Sequence, residues 1–144
     1  MTPFFSIIVV CLNPGEKLLQ TLQSIQKQEF RDYEIVLKDG GSTDGSLQKL
    51  DPEQSGLHVV TKPDRGIYDA MNKGIRLAEG EIIGIINSDD WYEPDALKTV
   101  VETFEETGCE LMFANIRLHR ADGSSFVKKA RLRRIQTSRD WNHP

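Results

Sequence analysis

Apolar residues occur along this chain in two kinds of short run, and their alternation predicts the fold. Phe4 to Leu12 is nearly continuous and rich in β-branched residues, the pattern of a strand buried on both faces of a parallel sheet. It stops at Asn13-Pro14-Gly15-Glu16, where Asn13 can cap a helix, Pro14 suits the first helical position and Glu16 can close a capping box. Leu18, Leu19, Leu22 and Ile25 then recur at helical spacing. A second strand, Glu34 to Lys38, leads into Asp39-Gly40-Gly41-Ser42-Thr43-Asp44-Gly45-Ser46 and a short helix that ends before Asp51-Pro52. A third, Leu57 to Thr61, leads into Lys62-Pro63-Asp64-Arg65-Gly66. Ile67, Met71, Gly74, Ile75 and Ala78 mark the next helix, with Gly80 as its C-cap. The fourth strand, Glu81 to Asn87, runs into Ser88-Asp89-Asp90-Trp91-Tyr92. Pro94 opens a helix with Leu97, Val100, Val101 and Phe104 inward. A strand from Glu110 to about Leu118, a turn at Ala121-Asp122-Gly123-Ser124 and a return over Ser125 to Ala130 complete the pattern. Beyond Arg131 the periodicity fades.

Strands alternating with helices predict an α/β fold, a mostly parallel sheet with helices on both faces. Right-handed crossovers then place every post-strand loop on one edge. Ligands of such sheets bind at that carboxyl edge. The polar residues gather there: Asn13 after the first strand, Asp39 after the second, Asp64 and Arg65 after the third, Asp89 and Asp90 after the fourth. Each could be no more than a turn or a helix cap, but four consecutive polar tips favour a site.

Composition narrows the class. At 144 residues the chain has the size of one domain. Its net charge of −4 is unevenly spread, with eight Lys/Arg against two Asp/Glu from Arg117 onward. Such a tail suits an anionic neighbour or is simply a solvated face. Cys11 and Cys109 form neither a disulfide framework nor a zinc spacing, which fits a reducing, cytoplasmic setting. Met1 to Leu12 lacks the basic n-region and small-residue cleavage site of a signal peptide, so none is expected there, and no apolar run approaches the roughly 20 residues that span a bilayer. Any membrane association is therefore expected to be peripheral, at the inner face, or to be made by sequence outside these 144 residues.

The missing motifs exclude chemistries. Without GxGxxG after the first strand a nicotinamide or flavin domain is not expected, and without GxxxxGK[ST] neither is a P-loop NTPase. His58, His119 and His143 do not approach a ligand spacing, and no Ser or Cys stands in a nucleophile elbow. Two adjacent carboxylates at a strand tip repel each other unless solvated, hydrogen-bonded or neutralised by a cation. Paired oxygens are what Mg²⁺ or Mn²⁺ prefers.

SIIVVCLN, LKDGGSTDGS and KPDRGIYDAMNKGIRLAEGEIIGIINSDDWYEPDAL, taken together from about Phe5 to Leu97, resemble the nucleotide-binding half of inverting GT-A-type family-two glycosyltransferases, especially bacterial enzymes that build surface polysaccharides. The resemblance implies a sugar transferred from a nucleoside-diphosphate donor, UDP-linked in the usual case, to a glycan or lipid-linked hydroxyl, with Mn²⁺ or Mg²⁺ as cofactor. It implies that Asp39 accepts from the nucleotide base, that Asn13 forms the lip of that pocket, and that Asp64 and Arg65 line it. Asp89 would bind the ribose and Asp90 the metal, while Trp91 and Tyr92 pack. The family often carries Asp-x-Asp where this chain has Asn87-Ser88-Asp89-Asp90, so ligation is expected to rest on Asp90. The family's general base lies further along its catalytic domain, so the catalytic residue is expected beyond residue 144. Residues 1–118 are then the nucleotide-sugar-binding domain, and 119–144 are a hairpin and the basic start, Lys128 to Arg139, of a truncated acceptor region. Glu105 and Glu106 read as solvated. A nucleic-acid partner is not expected. The competing readings are a nucleotide-sugar binding fragment without turnover and a phosphoacceptor signalling domain.

Overall fold

The computed structural model of the protein describes residues 1–51 and 53–130. Most of Lys128 to Arg139 and the terminal Trp141-Asn142-His143-Pro144 therefore lie outside the described residues. The chain divides into two compact units, Met1–Glu102 and Thr103–Pro144.

In the first unit, β1 (Phe5–Cys11), β2 (Tyr33–Asp39), β3 (Leu57–Thr61) and β4 (Ile82–Asn87) form one parallel sheet in the order β3-β2-β1-β4. The helices are α1 (Lys17–Gln26), α2 (Ile67–Leu77) and α3 (Ala96–Thr107), the last crossing the division, and a single 3₁₀ turn occupies Leu47–Lys49. Side chains of β1 alternate between two cores because successive strand residues point to opposite faces. Phe5, Ile7 and Val9 pack with Leu18, Leu22 and Ile25 of α1 and Leu97 of α3. Ile8 and Val10 pack with Val36 and with Ala70 of α2. Burial on both faces is why the β1 sequence shows a continuous apolar run rather than an alternating one.

The register aligns the strand tips: Cys11 sits opposite Asp39, Asp39 opposite Thr61, and Val10 opposite Asn87. Every loop that carries a polar tip thus emerges from one edge. At the other end of the sheet, Ser6 Oγ donates to Glu34 Oε1, which also accepts from the Glu79 amide at 2.8 Å, and the Gly80 amide donates to Ser6 Oγ at 2.7 Å.

Three local expectations are corrected. Asn13 does not cap α1: its φ is +49°, the cap position is Glu16, and no side chain caps the helix. Its amide oxygen is used across the sheet edge instead, accepting from Thr43 N–H at 2.8 Å. Gly80 is not the C-cap of α2, which is Ala78. It is a close-approach residue, since a Cβ there would lie 2.5 Å from Ser6 N and 2.6 Å from Phe5 C. Both are backbone atoms of a buried strand that cannot give way, so Gly80→Ala is expected to destabilise the unit by about 1–3 kcal/mol, the range of core overpacking. Urea denaturation would measure it. Finally, residues 110–115 are not strand.

In the second unit, β5 (Ile116–His119) and β6 (Ser125–Lys128) form an antiparallel hairpin. Its turn is the expected one: Asp122 Oδ1 accepts from the Ser124 amide and hydroxyl at 2.9 and 2.6 Å. Arg120 stacks over Phe126, 4.7 Å from the ring centroid. Both strands lie in the unit that begins at Thr103. Glu105 and Glu106 are exposed. Among the described residues no helix is long and apolar enough to cross a membrane.

Candidate functional site

A cleft of about 620 Å³ opens at the carboxyl edge of the sheet, within the size range of small-molecule sites. It is bounded by the residues after β1 (Leu12, Asn13, Pro14 and Lys17), Gly40 after β2, Asp64 and Gly66 before α2, and Asn87, Ser88 and Asp89 at the end of β4.

Two loops are laced into its rim. Asn13 N–H donates to Ser42 Oγ at 2.7 Å while Asn13 Oδ1 accepts from Thr43, and Gly15 N–H donates to Asp44 Oδ2 at 2.8 Å. Gly15 at φ +62° takes a conformation that other residues rarely adopt. Asp39 holds this edge from beneath. Its carboxylate is buried and accepts from the amides of Gly41 and Ser42 at 3.1 Å, from Ser42 Oγ at 2.5 Å and from the Thr61 hydroxyl. Burial alone would raise its pKa, but these donors outweigh burial and lower it. Asp39 therefore shapes the loop, and it is Gly40 that meets the cleft. Asp39, the residue expected to meet a nucleotide base, is not among the residues that line the cleft, and its carboxylate accepts from its own loop. Beside it, the Cys11 thiol is pushed up to about 12, by burial first and by the Asp39 charge second.

Asp64 does reach the cleft, supported by two lysines that no motif singles out. Lys38, 1% exposed, donates to Asp64 Oδ2 at 2.9 Å and to the carbonyls of Asp39 and Lys62 at 2.8 and 2.6 Å. Lys73 of α2 donates to Asp64 Oδ1 at 3.0 Å and to Asp69 Oδ2 at 2.8 Å. Burial would raise the Asp64 pKa, but the two ammonium groups outweigh it and lower the value. Gly40 leaves this carboxylate room, since a Cβ there would meet Asp64 Oδ2 at 3.2 Å. Arg65 is not brought to the cleft: its side chain is 92% exposed and approaches Asp69 at 3.9 Å. One turn of helix separates Arg65 from Asp69, so the local pair forms at the outer surface.

The acidic segment after β4 is fixed by polar side chains of α1 and of the turn that follows it. Thr21 Oγ1 donates to the Asp90 carbonyl at 2.7 Å, Ser24 Oγ accepts from Tyr92 N–H at 3.1 Å, and buried Gln28 donates to Glu93 O at 2.8 Å while accepting from Leu97 N–H at 3.0 Å. The spacing of 21, 24 and 28 on one side of the apolar stripe was the available signal for this clamp. Tyr92 packs on the core, and burial pushes its phenol up to about 12, whereas Trp91 is 40% exposed.

Asp89 lines the cleft, and Asp90 stands beside it. Desolvation, then the Asp89 charge, raise the Asp90 pKa, while a hydrogen bond from Asn87 opposes them. The other end of the Asn87 amide, Oδ1, is buried without a hydrogen-bond partner among the described residues. No group of three or more His, Cys, Asp or Glu able to hold a metal occurs among the described residues. A hard divalent cation needs only oxygens, however, and binds through one or two carboxylates when substrate phosphates and water complete its shell. Two carboxylates in mutual repulsion next to an orphaned amide oxygen fit such an ion.

The comparisons with known proteins agree with this architecture. The chain is 42% identical to the PGL/p-HBAD biosynthesis glycosyltransferase of Mycobacterium bovis over 105 residues, 68% of this chain and 40% of the relative. It is 30% identical to glycosyltransferase GlyG of Streptococcus pneumoniae, covering 80% of this chain and again 40% of the relative. The chain thus spans about 40% of the length of these relatives. Its structure resembles S. aureus TarS in complex with UDP-GlcNAc, with a TM-score of 0.68 and 29% identity over 75% of this chain and 32% of the other. It also resembles the mannosyltransferase PcManGT of Pyrobaculum calidifontis in complex with GDP-Man and Mn²⁺, with a TM-score of 0.64 and 27% identity over 72% and 33%. These likenesses accord with the GT-A-type α/β fold expected from the motifs. The model of Glycosyl transferase family 2 matches residues 6–143, and the chain belongs to that family.

Proposed function

We propose that this chain is the donor-binding part of a metal-assisted, inverting glycosyltransferase that takes a nucleoside-diphosphate sugar, with UDP as the favoured carrier. The observation that carries the reading is the cleft itself, where Asn13, Asp64 and Asp89 from three separate loops meet at the edge where α/β sheets bind nucleotides. The TarS complex with UDP-GlcNAc and the PcManGT complex with GDP-Man support the donor class.

In this account Asn13 and the 40–43 loop form the lip. Asp64, held ionised by Lys38 and Lys73, presents acceptor lone pairs to N–H groups of the base, the part first expected of Asp39. Asp89 accepts from ribose hydroxyls. Asp90, with Asn87 Oδ1 beside it, would hold Mn²⁺ or Mg²⁺. Such an ion, when bound, offsets the negative charge that develops on the departing diphosphate. The sugar then faces an acceptor, a glycan or lipid-linked hydroxyl, which a general base must deprotonate. The working location is the cytoplasm, with peripheral contact at the inner face of the membrane. Because the chain covers about 40% of its relatives, donor binding without turnover is the second reading, and a donor hydrolysis or transfer assay separates the two.

A thermal-shift panel of UDP, GDP, CDP and their sugars, each with and without Mn²⁺, tests the proposal, because a ligand selective for the folded state raises the melting temperature. A shift selective for UDP or UDP-sugars and enlarged by Mn²⁺ is expected. No shift with any nucleotide would contradict it.

A further inference from the structure

The charges of the cleft do not balance for the ligand proposed, and Lys17 is where the balance is restored. A nucleoside diphosphate brings two or three negative charges to a rim whose acidic members are Asp64 and Asp89. Asp64 is neutralised from below by Lys38 and Lys73, and both cations are committed to it. Arg65, the cation first expected here, points away. Lys17 remains: it lines the cleft next to Pro14, it is exposed, and it forms no ion pair among the described residues. The adjacent Glu16 does not hold it, since Glu16 is paired with Lys49 at 2.5 Å.

Lys17 also sits where local physics disfavours it. It is the first residue of α1, a helix with no acidic residue in its first turn and no basic residue in its last. A cation at a helix N-terminus opposes the macrodipole and so weakens the helix slightly. A residue that breaks a local rule at the rim of a site, without a partner to compensate it, is a candidate for a ligand contact.

We infer that Lys17 is a donor-binding residue whose ammonium group contacts the diphosphate of the bound nucleotide, supplying a positive charge of the chain's own in addition to a cation held at Asp90. This rests on the donor-binding reading of the cleft and deepens it. An ammonium is a mobile point charge suited to phosphate oxygens and carries no base specificity, so its effect belongs to the phosphates alone.

The test is calorimetric titration of the chain and of Lys17→Gln and Lys17→Arg with UDP, GDP and uridine, with and without Mn²⁺, at two salt concentrations. Lys17→Gln is expected to weaken diphosphate binding about tenfold in both metal conditions, to leave uridine binding unchanged and to reduce the salt dependence. Lys17→Arg should restore most of the loss. The melting temperature of Lys17→Gln should stay level or rise, because a charge unfavourable to α1 has been removed, which separates a ligand contact from a structural role. Unchanged diphosphate affinity in Lys17→Gln, or an equal loss for uridine, overturns the inference and leaves the donor-binding reading standing. If the unaltered chain binds neither UDP nor GDP, the donor-binding reading fails, and the inference fails with it.

Discussion

Asp90→Ala should remove the Mn²⁺ dependence of nucleotide binding, lowering the affinity measured with metal to the level measured without it. The expected loss is at least about tenfold, or about 1.4 kcal/mol, because the Asp90 carboxylate is the charged oxygen assigned to the ion. The substitution should not unfold the chain. The anchor between α1 and this segment runs through the Asp90 backbone carbonyl, which Thr21 holds at 2.7 Å and which alanine retains. The carboxylate itself is exposed and its pKa is raised, so removing it relieves repulsion with Asp89. Asp89→Ala is expected to differ, weakening the nucleotide by a similar factor with and without metal, since ribose contacts do not pass through the ion. Calorimetry with UDP across the two variants separates the roles, and equal behaviour of both would defeat the division of labour between them.

Asp64→Ala should be the most destabilising change at the site. It leaves Lys38 buried, 1% exposed, with two carbonyls but no counter-charge. Breaking one partner from such a pair costs about 3–5 kcal/mol, a large part of the stability of an ordinary domain. The pH dependence has a definite sign. Asp64 is held below its unfolded value, so its contribution is present above about pH 4 and is lost as the pH falls through the lowered value. Asp64→Asn should flatten the acid limb of the stability profile. The double variant Lys38→Met with Asp64→Leu is expected to recover much of the stability, because replacing both members of a buried pair avoids the stranded charge. Such a protein would fold with a cleft that no longer binds the base. Chemical denaturation at pH 7 and pH 3 checks the stability terms.

The sheet and its helices were legible in the sequence because β1, β2, α1 and α2 repeat their apolar residues at the periods that burial imposes. Leu57 to Thr61 matched to the residue. What escaped were features governed by tertiary contacts. Asn13 has the chemistry of a cap, but a bond to Thr43 thirty residues away competes for the same oxygen and prevails. Gly80 follows a helix as a C-cap would, yet the constraint on it comes from β1.

The site shows the same division. Asn13, Asp64, Asp89 and Asp90 stand at the expected edge, because in a parallel sheet chain order alone assigns loops to edges. Asp39 and Arg65 belong to the same motifs but face elsewhere, and no pattern in a single sequence reveals that a carboxylate already has its donors or that an arginine has turned outward. Lys38 was hidden differently: a lysine inside an apolar strand reads as an outward-facing position, whereas here it is enclosed as the counter-ion of Asp64.

The central claim, that the carboxyl-edge cleft is a nucleotide-diphosphate site, is tested most directly by titrating the isotopically labelled chain with UDP and Mn²⁺ and following its backbone amide resonances. Saturable shifts are expected in the cleft loops alone, at residues 11–17, 40–43, 64–67 and 87–90, with amides at the opposite end of the sheet, such as those of Glu79 and Gly80, unmoved. Saturable shifts centred anywhere else, or none at millimolar nucleotide, would contradict it.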